Sequence, residues 1–405
     1  MRIFVASYSI PKPDISSGDR RFFEMLCLLA RSHKVHLWTC QPEPQLDKED
    51  QLRYRSALEA VGIKVIPHPT PLDETLIQTR YDAGIFEFYW VAENTLPLFR
   101  QIQPRAATII DSVDVAFARE ELAGAVGVGD ATNAAKTKQR EMAMYRAADA
   151  VIAVSEADRD LLLAEGNTLR IGIVRNILRE QEDRRDPASK QLIFVGAFNW
   201  PPNVDGIDWF VREIWPLIRQ QEPDAIINIV GSSPTKEIMH LAANPGVVVH
   251  GFVPETKPYL DQSDISVAPL RYGGGMKGKV NEAMAAGLPV VTTSIGAQGL
   301  NVRNGAHLFV ADKAELFADC VVGLLRDPIA RVRMGQAARD YTASLCSPEL
   351  AEQNLNRILV ETSKSQHRPH MPFAWVKCVA LINFKKYVRR VLPKPWLQQI
   401  RKLLR

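Results

Sequence analysis

The amino-acid sequence predicts an α/β protein of two domains, each built on a parallel sheet with crossover helices. The chain has 405 residues, more than the roughly 100–200 residues of a typical single domain. Short runs rich in valine and isoleucine alternate with longer helical patterns along most of the chain, as they do in βαβ units. A polar stretch without apolar periodicity spans residues 178–190. We therefore place the domain boundary near residue 185.

Six strands are predicted before this boundary and six after it, each as a short β-branched or apolar run. The first six cover residues 2–7, 34–39, 62–67, 82–88, 107–111 and 150–154. The second six cover residues 191–195, 225–230, 247–250, 265–269, 289–292 and 307–310. Helical patterns include residues 20–32 and 47–61, and three more follow the last strand at 313–326, 328–344 and 348–363. These limits predict domains over residues 1–180 and 186–345, a terminal helix over 346–363 that packs back toward the first domain, and a tail over 364–405.

The composition is that of an ordinary globular protein. Hydrophobic residues make up 46% of the chain and charged residues 24%, which excludes wholesale disorder and a coiled coil. The five cysteines are scattered and form no Cys-x-x-Cys pair, which favours a reducing compartment and argues against zinc. Met1 leads directly into a strand-like segment with no signal-peptide pattern. The sequence therefore predicts a cytoplasmic protein.

The tail over residues 364–405 differs from the rest of the chain in charge. It holds eleven Lys or Arg and no Asp or Glu, whereas the other 363 residues hold 39 basic and 46 acidic side chains. The acidic body argues against nucleic acid as a partner. In the tail, apolar residues recur every three or four positions among the basic ones, and its longest charge-free run, residues 378–384, is too short to cross a bilayer. We predict that the tail lies on an anionic membrane surface, on its inner face; the alternative is a helix pair packed on the acidic body.

The stretch from residue 268 to residue 292 carries the most chemistry. It has the pattern of a strand, a glycine turn, a helix and a second strand. Glycines allow the backbone to approach a ligand closely, and the helix start offers free N–H groups and a positive dipole end to an anion. The turn contains Gly273, Gly274 and Gly275, and cationic side chains flank it at Arg271, Lys277 and Lys279. This combination predicts a diphosphate-binding site.

Glu282 lies in the first turns of the same helix, where a carboxylate can accept hydrogen bonds from a ribose diol. The turn also contains a Gly-x-Gly-x-x-Gly match that begins at Gly273, so a nicotinamide dinucleotide is an alternative ligand. A dinucleotide site needs an acidic residue about 20 positions further on, and residues 297–302 contain none. This absence argues against a dinucleotide, and the two lysines of the loop suit the diphosphate of a nucleoside diphosphate.

This stretch closely resembles the donor-binding segment of the glycosyltransferase family 4-like (group 1) enzymes of the GT-B fold. The resemblance extends through residues 293–300, 251–255 and 194–205, covers most of residues 190–345, and reaches residues 1–180 more loosely. It implies two Rossmann-like domains that face each other across a cleft, with a nucleotide-sugar donor held mainly by the second domain. It also implies a retaining reaction without metal or other cofactor.

The resemblance assigns roles to particular residues of this chain. Glu282 corresponds to the second glutamate of the family's paired-glutamate motif, which binds the ribose. Gly274 stands where the first glutamate is found, and Ala197 stands where many members carry an arginine. We therefore expect Arg271, Lys277 and Lys279 to neutralise the diphosphate, with Lys277 acting in catalysis.

In the first domain, two segments are candidates for the other wall of the cleft. The loop over residues 10–21 leads into a helix start, where Gly18 would let the backbone approach donor phosphate or acceptor. Asp111 ends a predicted strand, the position at which open α/β sheets place their sites. We predict that Asp111 is a catalytic residue that positions the acceptor, with Asp114 and Glu87 as the next candidates; the alternative for Asp111 is a helix cap.

The sequence offers no convincing metal site. Its Asp-x-Asp motif, Asp158 to Asp160, follows Ser155 and has the pattern of a capped amphipathic helix. The histidines form no His-x-x-x-His or His-Glu-x-x-His pattern. We therefore predict no metal and no cofactor other than the donor substrate.

Together, these observations predict a glycosyltransferase that moves a sugar from a nucleotide-sugar donor to a glycan or lipid-linked hydroxyl acceptor, in bacterial surface-polysaccharide or glycolipid assembly. Two alternatives remain. A nucleotide-sugar epimerase on the same architecture would convert the donor without an acceptor. A non-catalytic nucleotide-sugar-binding subunit would bind the donor and release nothing, as the absent first glutamate and Ala197 would permit.

Overall fold

The computed structural model describes residues 1–41, 48–125, 131–166, 168–179, 189–273 and 277–364. It confirms the predicted α/β class, with two parallel sheets flanked by helices. Two sets of predictions, Gly274 with Gly275 and nearly all of the tail over 364–405, lie outside the described residues. No helix in the described ranges is long and apolar enough to cross a membrane.

The N-terminal domain is built on a seven-stranded sheet with the strand order β3-β2-β1-β4-β5-β6-β7. Its strands are β1 (Arg2–Ser7), β2 (Lys34–Thr39), β3 (Lys64–Val65), β4 (Ala83–Glu87), β5 (Ala107–Asp111), β6 (Ala150–Ala153) and β7 (Ile171–Ile173). Its helices are α1 (Ser17–Ser32), α2 (Lys48–Ala60), α3 (Leu72–Gln78), α4 (Tyr89–Ile102), α5 (Ala116–Ala125), α6 (Ala131–Ala147) and α7 (Glu156–Glu165).

The C-terminal domain is built on a six-stranded sheet with the order β10-β9-β8-β11-β12-β13. Its strands are β8 (Gln191–Val195), β9 (Ile226–Val230), β10 (Val247–Gly251), β11 (Ile265–Ala268), β12 (Val290–Thr292) and β13 (Phe309–Val310). Its helices are α8 (Pro201–Trp209), α9 (Trp215–Gln221), α10 (Lys236–His240), α11 (Lys257–Gln262), α12 (Gly278–Ala285), α13 (Ser294–Ala297), α14 (Ala314–Arg326) and α15 (Pro328–Cys346). A π-helical segment (Phe210–Ile214) joins α8 to α9, and a 3₁₀ turn (Leu241–Ala243) follows α10.

Both sheets change winding direction at one point. In the first sheet β1 pairs with β2 on one side and β4 on the other, and in the second β8 lies between β9 and β11. The loops that leave the carboxyl ends of such neighbouring strands diverge to opposite faces and open a crevice. The topology therefore places a ligand site at the ends of β1, β4, β8 and β11.

Helix α1 illustrates how the sequence sets up this site. Phe22, Leu26 and Leu29 recur with helical spacing and are buried against the first sheet. The Ser16 hydroxyl accepts a hydrogen bond from the backbone N–H of Asp19 at 3.1 Å and fixes where the helix begins. Because the apolar face anchors the helix, its N-terminus is held rigidly at the carboxyl end of β1.

The last helix, α16 (Pro348–Lys364), contacts the preceding helix α15 but packs mainly on α1 and the first sheet of the N-terminal domain. Ala351, Leu355, Ile358 and Leu359 belong to the same buried cluster as α1 and the first sheet. A Cβ atom at Gly172 on β7 would lie 2.3 Å from Cδ1 of Ile358, so the close contact between α16 and this strand requires glycine there. The chain thus crosses between the domains a second time.

The predicted strands agree with those observed, with β1, β2, β5 and β8 matching residue for residue. Strand β7 was not predicted. It contains three residues around Gly172, and glycine weakens the β pattern on which the prediction rests. Tertiary contact with β6 and α16 stabilises this strand.

Candidate active site

A cavity of about 450 Å³ lies between the two domains at the carboxyl ends of both sheets. Its N-terminal wall comes from the loop after β1, the start of α1, and the loops after β4 and β5. Its C-terminal wall comes from the loops after β8, β9, β10 and β11 and the start of α12. The residues that line it include Ser16, Ser17, Gly18, Arg20, Arg21, Phe88, Trp90, Asp114, Arg119, Asn199, Trp200, Asn203, Phe252, Gly273, Lys277, Gly278, Lys279 and Glu282.

The N-termini of α1 and α12 meet in this cavity. A Cβ atom at Gly278, the first residue of α12, would lie 2.2 Å from Cβ of Ser17, the first residue of α1. Helix N-termini carry a partial positive charge and N–H groups without intrahelical acceptors. Two of them facing one cavity favour an anion, and glycine at residue 278 is what lets them approach. Gly18 lines the same cavity, and a Cβ atom there would meet its nearest neighbour, Cγ1 of Val113, at 3.8 Å, an ordinary van der Waals contact.

Lys277 lies in the cavity wall directly before α12. Its side chain is buried, and its Nζ donates a hydrogen bond to the carbonyl oxygen of Gly273 at 2.9 Å. Burial lowers the pKa of Lys277 to about 8, with the nearby carboxylates of Asp158 and Asp114 acting in the opposite direction. The ammonium group is therefore held where its charge is poorly solvated, and a bound anion would stabilise it.

Lys279 lies two residues further, in the first turn of α12, and its side chain reaches α8. Its Nζ donates to Oδ1 of Asn203 and lies 5.3 Å from the ring centroid of Phe194. Burial, followed by the neighbouring charge of Lys277, lowers the pKa of Lys279 to about 7. The structure thus brings both predicted lysines to one place, beside the position of Ala197.

Glu282 also lines the cavity, and its partner comes from the other domain. Its Oε1 lies 3.6 Å from Nη1 of Arg20, and the Glu282 side chain is 14% exposed. Burial raises the pKa of Glu282, opposed by Arg20 and Lys279. The carboxylate is available to hydroxyl donors inside the cavity, where the sequence predicted a ribose contact.

Arg271 is not among the residues that line the cavity, contrary to the prediction that it contacts the diphosphate. Its Nε donates to Oδ2 of Asp205 at 2.9 Å, a second bond runs from Nη2 to Oδ1 of Asp205, and 47% of the side chain is exposed. The ion pair with α8 draws the guanidinium outward. The position of Arg271 next to the glycine turn in the sequence does not indicate that its side chain points away from the cavity.

Asp111 lies beneath the cavity rather than in it, so the prediction that it touches the acceptor is wrong for this structure. The carboxylate is fully buried and accepts two bonds from Arg21, Nη1 to Oδ2 at 2.7 Å and Nη2 to Oδ1 at 2.9 Å. Arg21 also donates to the carbonyl oxygen of Val174 and itself lines the cavity. Asp111 therefore positions Arg21, which the sequence analysis did not single out.

Of the two further candidates, Asp114 lines the cavity and Glu87 does not. Glu87 is buried, and burial raises its pKa well above the ordinary value, with the charges of Asp19 and Asp111 adding to the effect. Asp114 accepts a 2.8 Å bond at Oδ2 from Nε of Arg119. The guanidinium of Arg119 in turn lies 4.9 Å from the ring centroid of Trp200 in the other domain. Of the two candidates, Asp114 is therefore the one that a ligand in the cavity can reach.

The Asp158 to Asp160 motif forms the first turns of α7, as predicted. The Ser155 hydroxyl accepts from the backbone N–H of Asp158 at 3.1 Å and donates to Oδ2 of Asp158 at 2.8 Å, which is a helix cap. In the described part of the chain, no three His, Cys, Asp or Glu side chains group closely enough to hold a metal ion.

The architecture of two facing parallel-sheet domains is that of GT-B glycosyltransferases. Sucrose-phosphate synthase of Thermosynechococcus elongatus is similar with a TM-score of 0.68 and 15% identity over 89% of this chain and 98% of its own. HepE of Anabaena, solved with UDP and glucose, is similar with a TM-score of 0.65 and 16% identity over 89% of this chain and 100% of its own. At these identities the likeness concerns the fold.

Sequence comparison identifies the family of the C-terminal domain. Residues 189–327 match the family model Glycosyl transferases group 1, so this domain belongs to that family. Glucosyltransferase 3 of Streptococcus gordonii is 27% identical over 47% of this chain, and a 44.6 kDa protein in the cps region of Klebsiella pneumoniae is 27% identical over 35%. The matched segments span 57% and 38% of those two relatives.

Proposed function

We propose that the protein is a glycosyltransferase that moves a hexose from a nucleoside diphosphate sugar to a hydroxyl acceptor. The observation that carries this proposal is the convergence of Lys277, Lys279 and the starts of α1 and α12 on one cavity, with the Glu282 carboxylate beside them. This arrangement suits a diphosphate next to a ribose diol. The group 1 family match over residues 189–327 supports the same function, and a further structure of the similar protein HepE holds UDP-glucose.

The chemistry follows from where charge develops during transfer. As the bond between the anomeric carbon and the diphosphate oxygen breaks, negative charge grows on the departing phosphate and oxocarbenium character on the sugar. Cationic groups that are fixed before the reaction stabilise this charge more than they stabilise the bound donor. Lys277, Lys279 and the α12 N-terminus are such groups. We propose that they take the role that a metal ion has elsewhere, and that the reaction retains the anomeric configuration.

The N-terminal wall would bind the acceptor. Asp114 lines the cavity there, and Arg21 does so beside it, held by Asp111. We assign acceptor positioning to Asp114 in place of Asp111. This wall and the α12 N-terminus line one cavity, so an acceptor hydroxyl held here would share that cavity with the diphosphate and the sugar.

We also propose that residues 364–405 bring the enzyme to an anionic membrane surface, where a lipid-linked acceptor of polysaccharide or glycolipid assembly would be found. The eleven basic residues of this segment support the proposal. Deleting residues 365–405 should abolish sedimentation with vesicles of phosphatidylglycerol and leave UDP affinity intact. Undiminished sedimentation of the truncated protein would refute the membrane role.

The experiment that tests the central proposal measures nucleotide release. The protein is first titrated with UDP, GDP, ADP, CMP and NAD⁺ in the presence of EDTA, and the matching nucleotide hexoses are then incubated with and without bacterial glycolipid extract. A glycosyltransferase binds one nucleoside diphosphate with the chelator present. It also releases that nucleoside diphosphate from the nucleotide hexose faster when acceptor is added. Conversion of the sugar without acceptor would instead show an epimerase. Binding without any turnover would show a non-catalytic subunit, and a response to NAD⁺ alone would refute the diphosphate site.

A further inference from the structure

Two aromatic side chains form a flat surface in the N-terminal wall of the cavity. The rings of Phe88 and Trp90 stack with their centroids 4.1 Å apart and their planes 13° from parallel. Both line the cavity and are half-buried. Phe88 lies between the end of β4 and the start of α4, at the point where the first sheet changes winding direction. The stacked pair is therefore placed where the fold positions ligands.

Phe88 adopts a backbone conformation that disfavours its side chain. Its φ is 66° and its ψ is 149°, a region that is populated almost only by glycine. The backbone N–H of Phe88 donates to the carbonyl oxygen of Asp111 at 2.8 Å, which holds the residue in place. A glycine would adopt this conformation without strain, so the fold does not call for an aromatic residue here. Strain of this kind concentrates at functional sites.

An ion pair that can bind sugar hydroxyl groups lies in the same cavity. Asp114 and Arg119 form an ion pair at 2.8 Å, and Arg119 stacks against Trp200 of the other domain. A pyranose ring has an apolar C–H face that packs on aromatic rings, and hydroxyl groups at its edge that bind planar carboxylates and guanidinium groups. The wall offers both kinds of surface. An unbranched lipid chain would have no partner for the ion pair, and a nucleotide whose diphosphate lies at α12 would place its base on the C-terminal wall.

We propose that Phe88 and Trp90, together with Asp114 and Arg119, form a subsite for a pyranose ring of the acceptor. The acceptor hydroxyl then belongs to a sugar, with the ring stacked on the aromatic pair and its edge hydrogen-bonded to Asp114 and Arg119. This inference rests on the proposed transferase function, and it narrows the acceptor from any hydroxyl compound to one that ends in a sugar.

Saturation-transfer NMR on the full chain tests the proposal. The protein is saturated with UDP and mixed with methyl α- and β-pyranosides of glucose, galactose, mannose and N-acetylglucosamine, with n-decyl phosphate as the apolar comparison. We expect transfer to the C–H protons of at least one glycoside and no displacement of that glycoside by n-decyl phosphate. Absence of transfer to every glycoside, or displacement by n-decyl phosphate, would overturn the sugar assignment.

Two variants connect the signal to the ring pair. Trp90→Ala and Phe88→Gly should each reduce the saturation transferred to the bound glycoside about fivefold or more, as expected for loss of an aromatic contact. Because glycine relieves the strain at residue 88, Phe88→Gly should melt at the wild-type temperature or above, which separates a binding role from a structural one. Tyr8→Ala, at an exposed aromatic residue outside the cavity, is the matched control and should change nothing.

Measurements of UDP binding and glycoside binding on the same proteins distinguish the subsite proposal from the transferase proposal. Undiminished saturation transfer to the glycoside in both variants would refute the subsite. A large loss of UDP affinity in either variant would also refute it, because the rings would then hold the nucleotide. If UDP fails to bind the wild-type protein, the transferase proposal fails. If UDP binds and no glycoside does, the subsite fails alone.

Discussion

The two walls of the cleft differ in how their charges are balanced. On the C-terminal wall, burial lowers the pKa of Lys277 and of Lys279, and the nearby carboxylates of Asp158 and Asp114 for Lys277 and of Glu282 for Lys279 offset only part of that effect. On the N-terminal wall, Arg21 and Arg119 are each bonded to a carboxylate, Asp111 and Asp114 respectively.

This difference indicates different ligands. Poorly solvated ammonium groups are stabilised when an anion arrives, so the C-terminal wall suits a diphosphate. Arginines that are already neutralised gain less from an anion and serve better as fixed hydrogen-bond donors to a neutral ligand. The aromatic pair of Phe88 and Trp90 on the same side agrees with a neutral, hydroxyl-bearing acceptor. Four predictions test this contrast.

The largest effect is expected from Asp111→Ala. Removing one partner of a fully buried ion pair leaves the Arg21 charge uncompensated and should lower the free energy of unfolding by about 3–5 kcal/mol. Urea denaturation measures this change, and Asp111→Asn offers a milder variant if the alanine protein does not fold. The control is Asp208→Ala, which removes an exposed i,i+4 pair with Arg212 and should cost less than about 1 kcal/mol. An Asp111→Ala protein of wild-type stability with a raised acceptor KM would restore Asp111 to the acceptor site.

Lys279→Met should separate stability from function. The substitution removes a charge that burial disfavours, so the unligated protein should melt at the wild-type temperature or above. Turnover should fall about 10²- to 10³-fold, the usual effect of losing one group that stabilises transition-state charge. Arg271→Met is the matched control, because its guanidinium lies outside the cavity and pairs with Asp205. If Arg271→Met reduced turnover as strongly as Lys279→Met, the assignment of the diphosphate to the lysines would be wrong.

Glu282→Ala should weaken nucleotide binding about tenfold or more, since a charged hydrogen-bond acceptor contributes about 1.5–3 kcal/mol. Isothermal titration of UDP and of inorganic pyrophosphate distinguishes the group involved. A ribose contact predicts that UDP loses affinity and pyrophosphate does not. Because Arg20 reaches Glu282 from the other domain, Arg20→Ala provides the comparison for a merely interdomain role. Equal losses of affinity for both ligands would contradict the ribose assignment.

The walls also differ in how far the sequence predicts them. The glycine turn, both lysines and Glu282 lie within ten residues. Lys277, Lys279 and Glu282 line the same cavity wall because one strand–turn–helix unit positions them. The N-terminal wall joins Arg21, Phe88, Trp90, Asp114 and Arg119 from three separate loops and helices. Only the order of strands β1, β4 and β5 in the folded sheet brings those residues together.

The position of a residue in the sequence does not determine which way its side chain points. Asp111 ends β5 and Asp114 lies three residues further along, yet Asp111 is buried under Arg21 and Asp114 lines the cavity. Arg271 and Lys277 flank the same turn, and the partner Asp205 on α8 turns only the arginine away. In each case a residue distant in sequence decides which side chain faces the ligand. The class of fold and the place of the lysines and Glu282 in one cavity wall follow from the sequence, whereas the residues of the N-terminal wall do not.

The pH dependence of UDP binding gives the last test of the contrast. In the unligated protein the pKa values of Lys277 and Lys279 are about 8 and about 7, and a bound diphosphate favours their protonated forms. Binding between pH 7 and pH 9 should therefore take up protons, and UDP affinity should fall as the pH rises, by up to about tenfold per unit for each lysine that must be protonated. The free protein should become more stable over the same range, because the unfolded lysines bind more protons than the folded ones. Titration calorimetry in buffers of different ionisation enthalpy counts the protons, and Lys279→Met should reduce the uptake. Glycoside binding at the N-terminal wall should show no such slope, since the arginines there keep their charge throughout this range. A UDP affinity that is constant from pH 7 to pH 9 would show that the two lysines do not hold the diphosphate.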